Sequence, residues 1–192
     1  GGDAKLLCVP ADKRFDHITE LEHIEESLKQ EIEHFFTRYK DLEPGKWVKA
    51  EGWEGRAAAE AELAALHGRC FVTPRPWTAA EFAGLLSAPG CVLLTAPKGF
   101  LLGRVAGGEG ELLTLAVAPE ARRSGQGRAL VERFLAHCAA EGAEAAFLEV
   151  ASDNKAALGL YHRTGWDSVG RRPAYYAPGI DAVVMRHGLG PV

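Results

Sequence analysis

Between residues 20 and 39, apolar side chains fall at Leu21, Ile24, Leu28, Ile32, Phe35 and Tyr39. Gaps of three and four place them on one stripe of a helix. Thr19-Glu20-Leu21-Glu22 fits a capping box, and Pro44-Gly45 punctuates the far end. Residues 3–10 read as a short strand, and Lys46–Trp53 alternates with a strand period. Residues 55–69, rich in Ala, Glu and Leu, predict a helix. Thr78 and Glu81 open another helix over 78–87. Cys91–Thr95, Phe100–Ala106 and Glu111–Val117 are short extended runs separated by Gly or Pro turns, which predicts an antiparallel meander. A helix follows over 126–141, carrying Leu130, Val131, Phe134, Leu135 and Cys138 on its apolar face. Then come a strand over 145–151, a helix over 153–164, and strands over 166–172 and 181–187. The expected fold class is α/β: a mixed, largely antiparallel sheet flanked by helices, with an extra N-terminal strand–helix segment.

Charge divides the chain at the same place as the pattern. Residues 1–46 hold 7 Lys/Arg against 11 Asp/Glu, whereas residues 47–192 hold 15 of each. The shift predicts an accessory N-terminal segment, 1–46, ahead of a domain over 47–192. An overall net charge of −4 gives no basic footprint for nucleic acid. No apolar run has the ~20 residues that span a membrane, and no signal peptide is evident. The start at Gly1-Gly2 reads as a trimmed N-terminus, and the expected location is the cytoplasm. Cys8, Cys70, Cys91 and Cys138 lack CxxC spacing and the seven His form no HExxH pattern, so reduced core thiols and no metal are expected.

The sharpest chemical feature is Leu115–Ala129, LAVAPEARRSGQGRA. It reads as a strand, a turn, a Gly-containing loop and the start of a helix. Glycines allow close backbone approach and positive φ. The first amides of a helix lack intrahelical partners, so they can gather around an anion. Arg122, Arg123 and Arg128 add full charge, which makes a phosphate or pyrophosphate the natural guest. By itself the pattern also fits an ordinary helix start. The antiparallel setting argues against a Rossmann unit, and there is no G-K-[ST] for a P-loop.

Three ordered motifs, ELLTLAVAPEARRSGQGRAL, FLEVASDNKAALGLYHRTGW and RRPAYY…DAVVM, resemble the GNAT superfamily of acyltransferases. Within it they look like the RimI-type ribosomal-protein alanine N-acetyltransferases, over roughly residues 60–188. The resemblance implies a GNAT-like sheet and acetyl-CoA as cosubstrate. Leu115, Ala116 and Val117 would pair with the pantetheine arm. Arg122, Arg123, Ser124, Gly125, Gln126, Gly127, Arg128 and Ala129 would cradle the pyrophosphate, and Asn154 would contact the cofactor. Glu149 matches the general base and Tyr161 the general acid. A protein amine arrives as an ammonium, so it must lose a proton before attack, and the departing thiolate can take one from a phenol. Glu149 could instead face solvent or pair with an Arg, and Tyr161 could be a core aromatic. Tyr175 and Tyr176 resemble an aromatic lip over the acceptor peptide, or form an ordinary hairpin. His162, Arg171 and Arg172 read as surface residues.

The first quarter carries a different resemblance. Asp3-Ala4-Lys5, Phe15-Asp16-His17-Ile18 and HFFTRYKDLEPGKWVKAEGWEGRAAAEAEL are similar to the C-terminal part of bacterial soluble inorganic pyrophosphatases, over residues 3–63. Asp3 would correspond to a metal-site carboxylate, and Lys5, Tyr39 and Lys40 to phosphate contacts. One carboxylate cannot hold several Mg²⁺ ions, so no pyrophosphatase turnover is expected. At the join, Trp47–Gly52 is expected to act as the first strand of the acetyltransferase sheet and 55–69 as its first helix.

The expected activity is acetyl transfer from acetyl-CoA to a primary amine, the N-terminal α-amine of a protein, with a ribosomal protein as candidate partner. Alternatives are a small-molecule amine acetyltransferase and a non-catalytic CoA-binding or scaffold module. Self-association through the N-terminal helix is a further expectation.

Overall fold

The computed structural model describes residues 4–10, 12–39 and 50–190. They divide into two compact units, 1–59 and 60–192. Asp3 and Lys40, with their pyrophosphatase-like assignments, lie outside the described residues, as do Trp47–Lys49.

In the first unit, residues 4–10 form no strand, contrary to expectation. A 3₁₀ turn covers Lys13–Phe15, a second covers Leu21–His23, and helix α1 runs Glu26–Arg38. The helix therefore starts later than the periodicity predicts. The His23 ring intervenes: its Nδ1 receives the Thr19 and Glu20 amides at 3.2 and 3.3 Å. This puts the capping box on Glu20 and His23 rather than Thr19 and Glu22. The apolar stripe survives without burial. Leu28, Phe35 and Tyr39 are exposed, and the Phe35 and Tyr39 rings stack at 5.9 Å.

Helix α2 spans Arg56–Cys70 and α3 spans Ala79–Leu86, the latter opened by the expected Thr78/Glu81 capping box. Residues 50–52, the described part of the expected first strand, are not a strand. The sheet begins instead with β1 at Cys91–Ala96, followed by β2 at Gly99–Ala106 and β3 at Glu109–Val117. These three pair antiparallel, as the Gly-rich turns predict. Helix α4, Gln126–Ala140, carries the chain over to β4, Ala145–Ala151, which lies parallel to β3. Helix α5, Lys155–Arg163, leads to the hairpin of β5, Asp167–Ala177, and β6, Ile180–Gly188. The six-stranded order is β1-β2-β3-β4-β6-β5.

The core lies between the sheet and α4. Leu130, Val131, Phe134 and Cys138 are fully buried on the helix face that the 3.6-residue period assigns to it. Of the four thiols only Cys138 is buried, and Cys8 is exposed, which corrects the expectation of core thiols throughout. A β-bulge between Leu102 and Gly103 bends β2 under α4. The Phe134 ring occupies the space where a Cβ on Gly103 would stand. Since Phe134 cannot move outward from a filled core, Gly103→Ala is expected to destabilise the unit by about 2 kcal/mol. A thermal melt with an unchanged midpoint would contradict this.

Candidate active site

Helix α4 starts from a loop with unusual backbone. Arg123 has φ +63° and the N-cap Gly125 has φ +88°. Gly125 offers no side chain, so no cap bond satisfies the first turn, whereas α3 and α5 are capped by Thr78 and Asn154. The amides at the start of α4 are therefore available to an anion at the positive end of the helix dipole. The loop's polar side chains are occupied with holding its shape. Ser124 Oγ donates to the Ala121 carbonyl at 2.7 Å and receives Gln126 Nε2 at 3.1 Å. Gln126 Oε1 accepts the Lys98 amide at 2.9 Å. Arg122 Nε reaches the Val117 carbonyl at 3.3 Å, while Arg128 pairs with Glu132 at 2.7 Å. Ser124 and Gln126 can thus serve a ligand through backbone, not side chain.

Next to this loop the sheet opens. Pairing between β3 and β4 stops at Leu112 opposite Leu148, so Leu115, Ala116 and Val117 have no β4 partner. A strand edge left open in this way can pair with an extended amide-bearing chain. Gly127, in the first turn of α4, packs between β3 and α5: a Cβ there would stand 3.4 Å from Leu160 and 3.7 Å from Val117, ordinary contact distances. The strand edge, the α4 N-terminus and α5 therefore meet at Gly127. Asn154 sits at the head of α5, where its Oδ1 accepts the Ala157 amide at 3.1 Å. That bond leaves its Nδ2 for a ligand.

Glu149 lies on β4 just past the last β3 pair. Its carboxylate Oε1 is 2.9 Å from Arg172 Nε on β5, so Arg172 is the surface residue the sequence suggests and also pairs with Glu149. Tyr176 OH donates to the Glu149 carbonyl at 3.4 Å, and Tyr175 packs edge-on against Tyr176 at 5.1 Å. These tyrosines belong to β5 itself, in a stretch where its register with β6 breaks between Arg172 and Ala177. Asp181 holds that irregular stretch: its Oδ1 accepts the amide of Ala174, whose φ is +51°. Burial pushes the Tyr176 phenol up to about 12, with the nearby Glu149 and Tyr175 adding to the shift. Tyr161, on α5, is only 6% exposed and meets Trp166 edge-on at 6.0 Å. Burial first, then the neighbouring Tyr176 phenol, hold its proton more tightly than usual. At neutral pH it is a phenol with a proton to donate. His162 is exposed, as expected.

A second polar cluster was invisible in the sequence. His67 of α2 is 1% exposed and stacks on Phe71 at 4.0 Å and Trp77 at 5.2 Å. The Trp77 amide donates to its Nδ1 at 3.1 Å, and its Nε2 lies 3.0 Å from Thr114 Oγ1 on β3. Nδ1 must accept, so the ring is the neutral Nε2–H tautomer, donating to Thr114. Desolvation pushes its pKa from 6.5 down to about 4, against a smaller opposing pull from Glu81. The folded state therefore disfavours the proton that the unfolded chain binds. This contribution is fully present above pH ~6.5 and fades as pH falls towards ~4, a total of roughly 3 kcal/mol. Denaturant titrations of wild type and His67→Gln should diverge in pH dependence across that window. Parallel curves would refute the buried neutral imidazole.

A cavity of about 230 Å³ lies at the other end of the sheet, lined by Gly107, Gly108, Glu109, Glu144, Ala145, Phe147 and Arg186. It sits where β3 and β4 begin, away from the α4 N-terminus. Among the described residues, no cluster of three or more His, Cys, Asp or Glu could hold a metal, and no helix is long and apolar enough to cross a membrane.

The sheet, the open β3 edge and the uncapped α4 loop define a mixed α/β unit of one known family. Residues 95–189 match the acetyltransferase (GNAT) domain, and residues 1–70 match the inorganic pyrophosphatase family. The chain thus carries a GNAT acetyltransferase domain behind an N-terminal pyrophosphatase-like segment. Its first part is 54% identical over 68 residues to the inorganic pyrophosphatase of Escherichia coli (strain K12), covering 34% of this chain and 39% of that protein. The chain therefore spans about two fifths of the length of the curated pyrophosphatases it matches. The ribosomal-protein-S18-alanine N-acetyltransferase from Escherichia coli shares the fold, with TM-score 0.63, 24% identity, and coverage of 70% of this chain and 90% of that one. An aminoglycoside 6'-N-acetyltransferase complexed with coenzyme A shares it too, with TM-score 0.60, 16% identity, and coverage of 70% and 93%.

The pyrophosphatase match ends at residue 70, the last residue of α2. Yet Leu63 and His67 of that helix are buried within the unit that starts at residue 60. By sequence α2 belongs with the first segment; by packing, its second half belongs with the acetyltransferase.

Proposed function

We propose that this protein transfers an acetyl group from acetyl-CoA to a primary amine, the N-terminal α-amine of a protein such as an alanine-initiated ribosomal protein. The observation that carries the reading is the position of Glu149 beside the open β3 edge, with Tyr176 bonded to its carbonyl and Tyr175 packed on Tyr176. Acetyl-CoA supplies the acetyl group as an activated thioester. The α4 amides, with Arg122, Arg123 and Arg128, hold its pyrophosphate; Leu115–Val117 align its pantetheine arm through backbone bonds. The Nδ2 of Asn154 and the amides of Ser124 to Ala129 complete the cradle. Glu149 takes the proton of the arriving ammonium, directly or through water, and Tyr161 returns a proton to the departing sulfur. A β3 amide steadies the oxygen that gains charge. Tyr175 and Tyr176 border the acceptor.

In this reading residues 47–192 form the catalytic domain and 1–46 an accessory segment without pyrophosphatase turnover. The test is mass spectrometry of an Ala-initiated peptide and a polyamine panel, each incubated with acetyl-CoA. A +acetyl product on the peptide α-amine supports the proposal. Acetylation of polyamines alone would make the protein a small-molecule acetyltransferase, and CoA binding without any product would leave a binding module. Phosphate release from pyrophosphate with Mg²⁺ would overturn the assignment of the first segment.

A further inference from the structure

We infer that Arg172 occupies the place at Glu149 that the acceptor's ammonium takes during turnover, so the acceptor enters by displacing a cation built into the chain. The inference rests on the reading of Glu149 as the base. The Glu149 side chain is 28% exposed and the Arg172 side chain 60%, so the guanidinium comes to the carboxylate from the solvent side. That is the side from which an amine must also come. Arg172 further lies over the Tyr175 ring, 5.7 Å from its centroid. A carboxylate with an aromatic face beside it is a set that suits any cation of this size, and a primary ammonium satisfies both contacts.

The backbone around Arg172 is arranged for such an exchange. Arg171 Nε, one residue earlier, is 3.4 Å from Asp181, whose other oxygen holds the Ala174 amide. These contacts anchor the irregular stretch of β5. Arg172, by contrast, directs its ionic contact to the base itself, at 2.9 Å. An ion pair with one partner this exposed is weak, so an ammonium that gains the same carboxylate can replace it. Once there, the ammonium N–H proton passes to a Glu149 oxygen and the nitrogen keeps the electron pair for attack. Neutral acceptors gain nothing from this exchange, which selects for amines that arrive charged.

The test uses the full chain and steady-state kinetics, with the Ala-initiated peptide as acceptor, or spermidine if only that is turned over. Arg172→Gln is expected to lower the acceptor KM about fivefold, with no fall in kcat. Arg172→Lys, which keeps a competing cation, should stay near wild type. The KM for acetyl-CoA is the control. An acceptor KM that is unchanged or raised in Arg172→Gln, with turnover present, overturns the displacement and leaves the base assignment standing. No turnover in wild type or either variant overturns both together.

Discussion

Glu149→Gln is expected to lower kcat by at least about a hundredfold while leaving affinity for acetyl-CoA within about twofold, since general-base catalysis contributes about 10²–10⁴. The substitution keeps the shape of the side chain and still gives Arg172 an oxygen, so the cluster of Arg172, Tyr175 and Tyr176 has little reason to rearrange. What it removes is the ability to accept a proton from an ammonium. The proposed cofactor site draws on other elements, β3 and the start of α4, which is why binding should persist. Single-turnover kinetics with a separate titration of acetyl-CoA would separate the two effects. A variant retaining more than a tenth of wild-type kcat would mean that Glu149 only anchors Arg172.

Removal of residues 1–70 is expected to abolish the cooperative unfolding transition, whereas removal of 1–45 should keep it. The longer deletion takes Leu63 and His67, exposed by only 2% and 1%. It also leaves Thr114 of β3 without its imidazole partner and uncovers one side of Trp77, Phe82 and Phe100. Each large buried side chain lost costs about 2–5 kcal/mol, against a total stability of about 5–15 kcal/mol. Thermal melts with near-ultraviolet circular dichroism would report the difference. Equal behaviour of the two truncations would show that α2 is dispensable to the acetyltransferase fold.

Much of the framework was legible because it depends on local chemistry. The Thr78/Glu81 box, the three meander strands and helix 126–140 follow from capping, turns and period, and each is found within one or two residues of its expected bounds. The loop before α4 was legible for the same reason, since glycine at a left-handed N-cap is a local requirement. The misreadings have two causes. Residues 4–10 and 50–52 have strand-like sequence but no strand pairing, and a strand exists only when a neighbour completes its hydrogen bonds. The start of α1 moved because the His23 ring competes for the Thr19 and Glu20 amides, a choice that the capping pattern alone does not reveal.

The sequence by itself determined the order of elements, the helix stripes and the glycine loop, and through its motifs pointed to a GNAT domain behind a pyrophosphatase-like segment. Those features are written in neighbours a few residues apart. Only the tertiary structure decided that Arg172 meets Glu149, that Ser124 and Gln126 spend their side chains on the loop, and that His67 is buried neutral against Thr114. Each of these joins groups brought close by strand register, loop closure or core packing, and desolvation is set by what surrounds a group rather than by what precedes it in the chain.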